Sequence, residues 1–153
     1  MPRYNNKALY IRKSLNQALS NLVKYPLTVV DAPMGYGKTT GVREFCKKSG
    51  DLVLWQTILD ESTIGFWDAF SRLFKKLDPA AADSLARIGV PVNSVFLEEA
   101  IRIVGDIDFS TRTVIVLDDY HLLSSEDIDK FILIIEKISK ICYHNLIFDT
   151  LME

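Results

Sequence analysis

The chain has 153 residues, 48% apolar and 25% charged, with a net charge of −2. That is enough for one domain with its own core and too apolar for a disordered segment. The near-neutral balance argues against a broad nucleic-acid surface, and no apolar run reaches membrane-span length.

The cations among the first 25 residues (Arg3, Lys7, Arg12, Lys13, Lys24) precede no continuous apolar stretch of a secretory leader. Two cysteines, Cys46 and Cys142, and two histidines, His121 and His144, form no metal-ligand spacing. Two buried thiols in a reducing cytoplasm are expected.

In chain order, Leu15, Leu19, Leu22 and Val23 recur at helical spacing, predicting an N-terminal helix over 8–23 that ends before Pro26. "LTVVDA" (27–32) predicts a buried strand. A Gly/Pro loop follows, then a helix over 39–50 with Val42, Phe45 and Cys46 on one face and Gly50 at its end. "LVLWQTI" (52–58) predicts a second strand, and 66–77 an amphipathic helix whose stripe of Phe66, Phe70, Leu73, Phe74 and Leu77 belongs to the core. The segment 79–91 suggests a helical turn or loop.

A helix is expected over 94–104, with Asn93 or Ser94 as its N-cap. A third strand spans 112–120, a helix capped by a Ser124-to-Asp127 pattern spans 124–140, and a fourth strand spans 145–150. Apolar strands alternating with helices predict an α/β fold: a mostly parallel sheet covered on both faces, in three layers. The organisation expected is an N-terminal helical segment (1–25) and a core (26–153). An α/β domain seldom ends on a bare strand, so the chain is expected to be the front part of something larger, truncated after its fourth strand.

The run "APMGYGKTT" (32–40) fits the phosphate-binding P-loop, with Ala32 in place of the first glycine. Gly35 and Gly37 let backbone amides wrap an anion at a helix N-terminus. Lys38 supplies a mobile charge for the outer phosphates, the Thr39 hydroxyl can ligate Mg²⁺, and Thr40 lies near the innermost phosphate. Gly35, Tyr36, Gly37, Lys38, Thr39 and Thr40 form the expected nucleotide-binding set.

A second constellation, "VIVLDDYH" (114–121), ends an apolar strand on two carboxylates. Asp118 fits the acid that holds Mg²⁺ from across the sheet, and Asp119 a catalytic base that polarises water. The interval between Lys38 and Asp118 leaves room for a strand, which suits the P-loop class with a strand inserted between these two.

Together "APMGYGKTT", "LWQTILDES" followed by "FW" (54–67), and "VIVLDDYHLLS" resemble the ATPase module of MalT-like, LuxR-type transcriptional regulators, in the STAND branch of P-loop ATPases. The resemblance spans roughly residues 9–148. It implies an ATP- and Mg²⁺-dependent switch in which the nucleotide favours self-association and hydrolysis resets it, with sensor repeats and a DNA-binding helix-turn-helix downstream. By motif position, Lys38, Thr39, Asp118 and Asp119 take the roles given above, and His121 completes a DDxH pattern with a packing role as one option.

The family's nucleotide-sensing arginine after the fourth strand has no counterpart in "NLIFDTLME", although a small hydroxyl residue, Thr150, is present. ATP over GTP rests on the resemblance alone. No membrane association and no sequence-specific DNA binding are expected of this segment. The alternatives are an inert P-loop interaction module and a small P-loop kinase, for which Arg72, Arg87, Arg102 and Arg112 are the candidate lid residues.

Overall fold

The structure, a computed structural model, describes residues 27–32, 35, 37–142 and 144–151, together with Gln17 and Ser20. The expected N-terminal helix otherwise lies outside the described residues. Four strands, β1 (Leu27–Ala32), β2 (Leu52–Thr57), β3 (Thr113–Asp118) and β4 (His144–Leu151), form one sheet in the order β1-β4-β3-β2, with every pairing parallel. Among the described residues five α-helices accompany it: α1 (Lys38–Ser49), α2 (Thr63–Leu73), α3 (Pro79–Ile88), α4 (Ser94–Asp106) and α5 (Glu126–Cys142).

The connectivity sorts the helices onto two faces. The chain runs from β1 at one edge to β2 at the other through α1, then returns through β3 to β4. Parallel crossovers are right-handed, so reversing the direction of travel reverses the face. On one face Val42 and Cys46 of α1 pack with Val30, Val114 and Val116. On the other, α2 to α5 pack on Leu54, Ile115 and Leu117.

The strand lying between β1 and β3 in space is therefore β4, the last in sequence. β2, which lies between them in sequence, is an edge strand.

The second face holds the larger core. Phe70, Phe74 and Phe131 are fully buried and Trp67 nearly so, confirming the aromatic stripe as core. Phe131 meets Trp67 and Phe70 edge-on, with centroids 4.9 Å and 5.6 Å apart, the geometry aromatic quadrupoles favour. The Trp67 indole donates to the Leu85 carbonyl at 2.9 Å, so its one polar atom is not stranded.

Side-chain caps open α2, α3 and α4: Ser62 accepts from Gly65 N–H, Asp78 from Ala81 and Asn93 from Phe96. These caps correct two expectations. Because Ser62 already satisfies an orphan amide, α2 begins at Thr63, three residues before the expected start. The segment after Leu77 is a ten-residue helix and no loop, since Asp78 caps it and Pro79 sits in its first turn, where proline loses no hydrogen bond. At α5 the capping hydroxyl is that of Ser125, which accepts from Ile128 N–H at 3.4 Å; Ser124 does not take that place.

β3 is shorter than expected at both ends. Arg112 grips Asp51 with two hydrogen bonds, of 2.8 Å and 2.5 Å, at the amino end of the sheet. Asp119 and Tyr120 have left the strand at the other end.

Candidate functional site

β1 is followed by α1 on one face of the sheet, and β3 by α5 on the other; parallel α/β sheets place their ligands at the carboxyl edge where successive connections take opposite faces. Gly35 and Gly37 both have positive φ, 84° and 73°, a region costly for any residue bearing a Cβ. A Cβ built at either would meet nothing within 4 Å, so the space beside this backbone is open.

Gly37 is the N-cap of α1 and offers no side chain to the first amides, and the first turn carries no acid. The amides at the start of α1 thus lack the side-chain caps found at α2, α3 and α4, and the helix dipole adds positive potential there. Lys38 is buried, 8% exposed, an unusual setting for an ammonium group. Thr40 is exposed in the first helical turn, and Tyr36 lies outside the described residues.

Asp118 ends β3 at 3% exposure. Thr39 Oγ1 donates to Asp118 Oδ1 at 3.1 Å, bridging 79 residues of sequence. The hydroxyl after the lysine and the acid at the end of the apolar strand are therefore in direct contact. Asp118 shares its side of β3 with Val114 and Val116, the side that faces α1. Its carbonyl accepts from Ile58 N–H at 2.9 Å, which continues the β2 ladder and fixes the strand end.

Asp119 turns sharply away. Its backbone is left-handed, φ 58° and ψ 34°, and among the described residues no other non-glycine has a positive φ. Aspartate tolerates this region better than most residues, yet it still costs roughly 1–3 kcal/mol. A one-turn 3-10 helix follows, Tyr120–Leu122. His121 is exposed in it, so it does not pack into the core, against one option left open above.

Tyr120 follows the two aspartates and ties this turn to the helices of the other face. Its hydroxyl donates to Asp129 Oδ1 of α5 at 2.6 Å, and its ring meets Phe66 edge-on at 6.2 Å. Burial, reinforced by the bond to Asp129, pushes the phenol well above its ordinary range, so it stays a donor at neutral pH.

Among the described residues no cluster of three or more His, Cys, Asp or Glu could cage a metal unaided. Thr39 and Asp118 offer one hydroxyl and one carboxylate. Such a pair suits Mg²⁺, which commonly takes one or two protein ligands and fills its shell with phosphate oxygens and water.

β4 brings Thr150 opposite Asp31 of β1 in the register, at the carboxyl edge of the sheet. Two of the candidate lid arginines are engaged elsewhere. Arg112 is held by Asp51 at the amino end of the sheet, and Arg102 by Glu99 and Asp106 on its own helix.

Cys46 is a buried free thiol, as expected; burial, with a contribution from Asp51, pushes it up to about 11. Nothing is described of the Cys142 side chain. No helix among the described residues is long and apolar enough to cross a membrane. The class these observations define is an α/β protein with a parallel sheet. No protein-family model matches the chain, and no curated protein matches it in sequence.

Proposed function

We propose that the chain is the ATP-binding switch domain of a MalT-like, LuxR-type regulator, a STAND P-loop ATPase whose DNA-binding part lies outside it. One observation carries the reading: the Thr39 hydroxyl meets the Asp118 carboxylate at 3.1 Å at the carboxyl edge of a parallel sheet. Two motifs 79 residues apart in the sequence meet there, as holding one metal-bound polyphosphate requires.

In this reading the backbone at Gly35 and Gly37 and the first amides of α1 cradle the phosphates, and Lys38 neutralises the outer ones. Thr39 and Asp118 hold the Mg²⁺, whose chemistry is to neutralise charge on the phosphates. Asp119, one residue beyond, accepts a proton from the attacking water. The strand order, with β4 between β1 and β3, fits the P-loop class with an inserted strand. The engagement of Arg102 and Arg112 counts against a kinase, which needs mobile lid arginines.

Calorimetric titration of Mg·ATP into wild type and Lys38→Ala tests the reading. Binding that falls at least tenfold in the variant, about 1.4 kcal/mol, supports it. Equal binding by the two proteins contradicts it. Phosphate release, assayed in parallel, separates a turning-over switch from a passive nucleotide-bound module.

A further inference from the structure

Tyr120 sits between the end of β3 and the helices of the larger core. Asp119 holds left-handed backbone, and the turn after it closes through two local bonds, Leu122 N–H to the Asp119 carbonyl and Leu123 N–H to the Tyr120 carbonyl, both at 3.0 Å. A single 3-10 turn has poor hydrogen-bond geometry and little stability of its own, and a strained residue persists only where its surroundings over-determine it.

The surroundings here are tertiary. The Tyr120 hydroxyl reaches Asp129 at 2.6 Å, a charge-assisted bond. Asp129 stands on α5, which is anchored by the buried Ile128, Phe131, Ile132 and Ile135. The ring leans edge-on against Phe66 of α2. Leu123, 7% exposed, closes the far end of the turn.

We infer that Tyr120 is a positioning residue for ATP hydrolysis: its bond to Asp129 and its contact with Phe66 pin the turn that keeps Asp119 in left-handed backbone beside Asp118. The inference rests on the ATPase reading above and adds a part to it. Asp129 is the second half of the device, since it ties the turn to the rigid side of the molecule. Tyr120 itself touches no phosphate; it acts through the backbone of Asp119.

The test compares wild type, Tyr120→Phe, Asp129→Ala and Asp129→Asn by steady-state ATP hydrolysis and by native-state hydrogen exchange. Tyr120→Phe keeps the ring and removes only the hydroxyl, so the fold survives. Tyr120→Phe and Asp129→Ala are each expected to lower kcat about tenfold (~1.4 kcal/mol) while KM for Mg·ATP stays within about twofold. A variant that combines Tyr120→Phe with Asp129→Ala is expected to be no worse than either single one.

Exchange at the Leu122 and Leu123 amides quickens in both, with the rest of the core unchanged. Asp129→Asn, which keeps an acceptor oxygen, retains most of the turnover. Unchanged kcat in Tyr120→Phe overturns the positioning role, as does exchange that quickens equally throughout the chain. Wild type that binds Mg·ATP yet splits none overturns the hydrolytic part of the reading and the positioning role with it. Wild type that binds none overturns the reading at its root.

Discussion

On one face of the sheet four helices bury Trp67, Phe70, Phe74 and Phe131 with a shell of aliphatic side chains. On the other, among the described residues, α1 lays Val42 and Cys46 over Val30, Val114 and Val116, and Phe45, Val53 and Trp55 remain only partly buried. The thick face has aromatic stacking and capped helices. The thin face has the positive-φ glycines, the uncapped helix start, the buried lysine and the buried aspartate. Apolar bulk and buried charge are thus divided: the thick side holds the larger core, and the thin side carries the buried Lys38 and Asp118.

Phe70→Ala should break the division most severely. Phe70 is fully buried amid four aromatic partners, so its removal is expected to cost about 3–5 kcal/mol in urea unfolding. Val42→Ala, the counterpart beneath the thin face, is expected to cost roughly 2 kcal/mol. Equal losses at the two positions would erase the contrast. Asn93→Ala removes the α4 cap and should cost about 1 kcal/mol. Its nucleotide binding is expected to be unchanged, because that cap lies at neither strand end of the site.

The smallest effect concerns pH. The Cys46 thiol is raised to about 11 in the folded protein against 9.0 for an ordinary thiol. Below pH 9 it is protonated in both folded and unfolded chains and contributes no pH dependence. Between pH 9 and 11 the unfolded chain gains by ionising first, so stability should fall as pH rises. Comparing urea midpoints of wild type and Cys46→Ala across that window checks this: the wild type should lose more than the variant, and parallel curves would show that the thiol is not buried as described.

Much of this architecture was legible in the sequence because it is local. β1 matches its predicted bounds since Leu27–Ala32 is a short apolar run closed by the glycine loop. Thr39 and Asp118 stood out for the same reason, each within a run of a few consecutive residues, and the structure brings the two into contact.

What was hidden was either weakly patterned or long-range. The Ala-rich 79–88 segment has little hydrophobic contrast, and only Asp78-Pro79 marked it as a helix. The insertion of β4 between β1 and β3 is a pairing between distant segments that no local pattern encodes. The clasp of Tyr120 on Asp129 depends on where α5 packs. The left-handed backbone falls on Asp119, a residue whose type alone did not announce it.

The most direct measurement is a double-mutant cycle on Mg·ATP binding: wild type, Thr39→Ala, Asp118→Asn and the double variant, titrated calorimetrically with and without Mg²⁺. If the hydroxyl and the carboxylate hold one metal, each single change should weaken binding at least tenfold, about 1.4 kcal/mol. The double should then lose little more, and Mg²⁺ should cease to matter in all three variants. Losses that simply add, or four proteins that bind alike with and without the metal, would contradict a shared magnesium site.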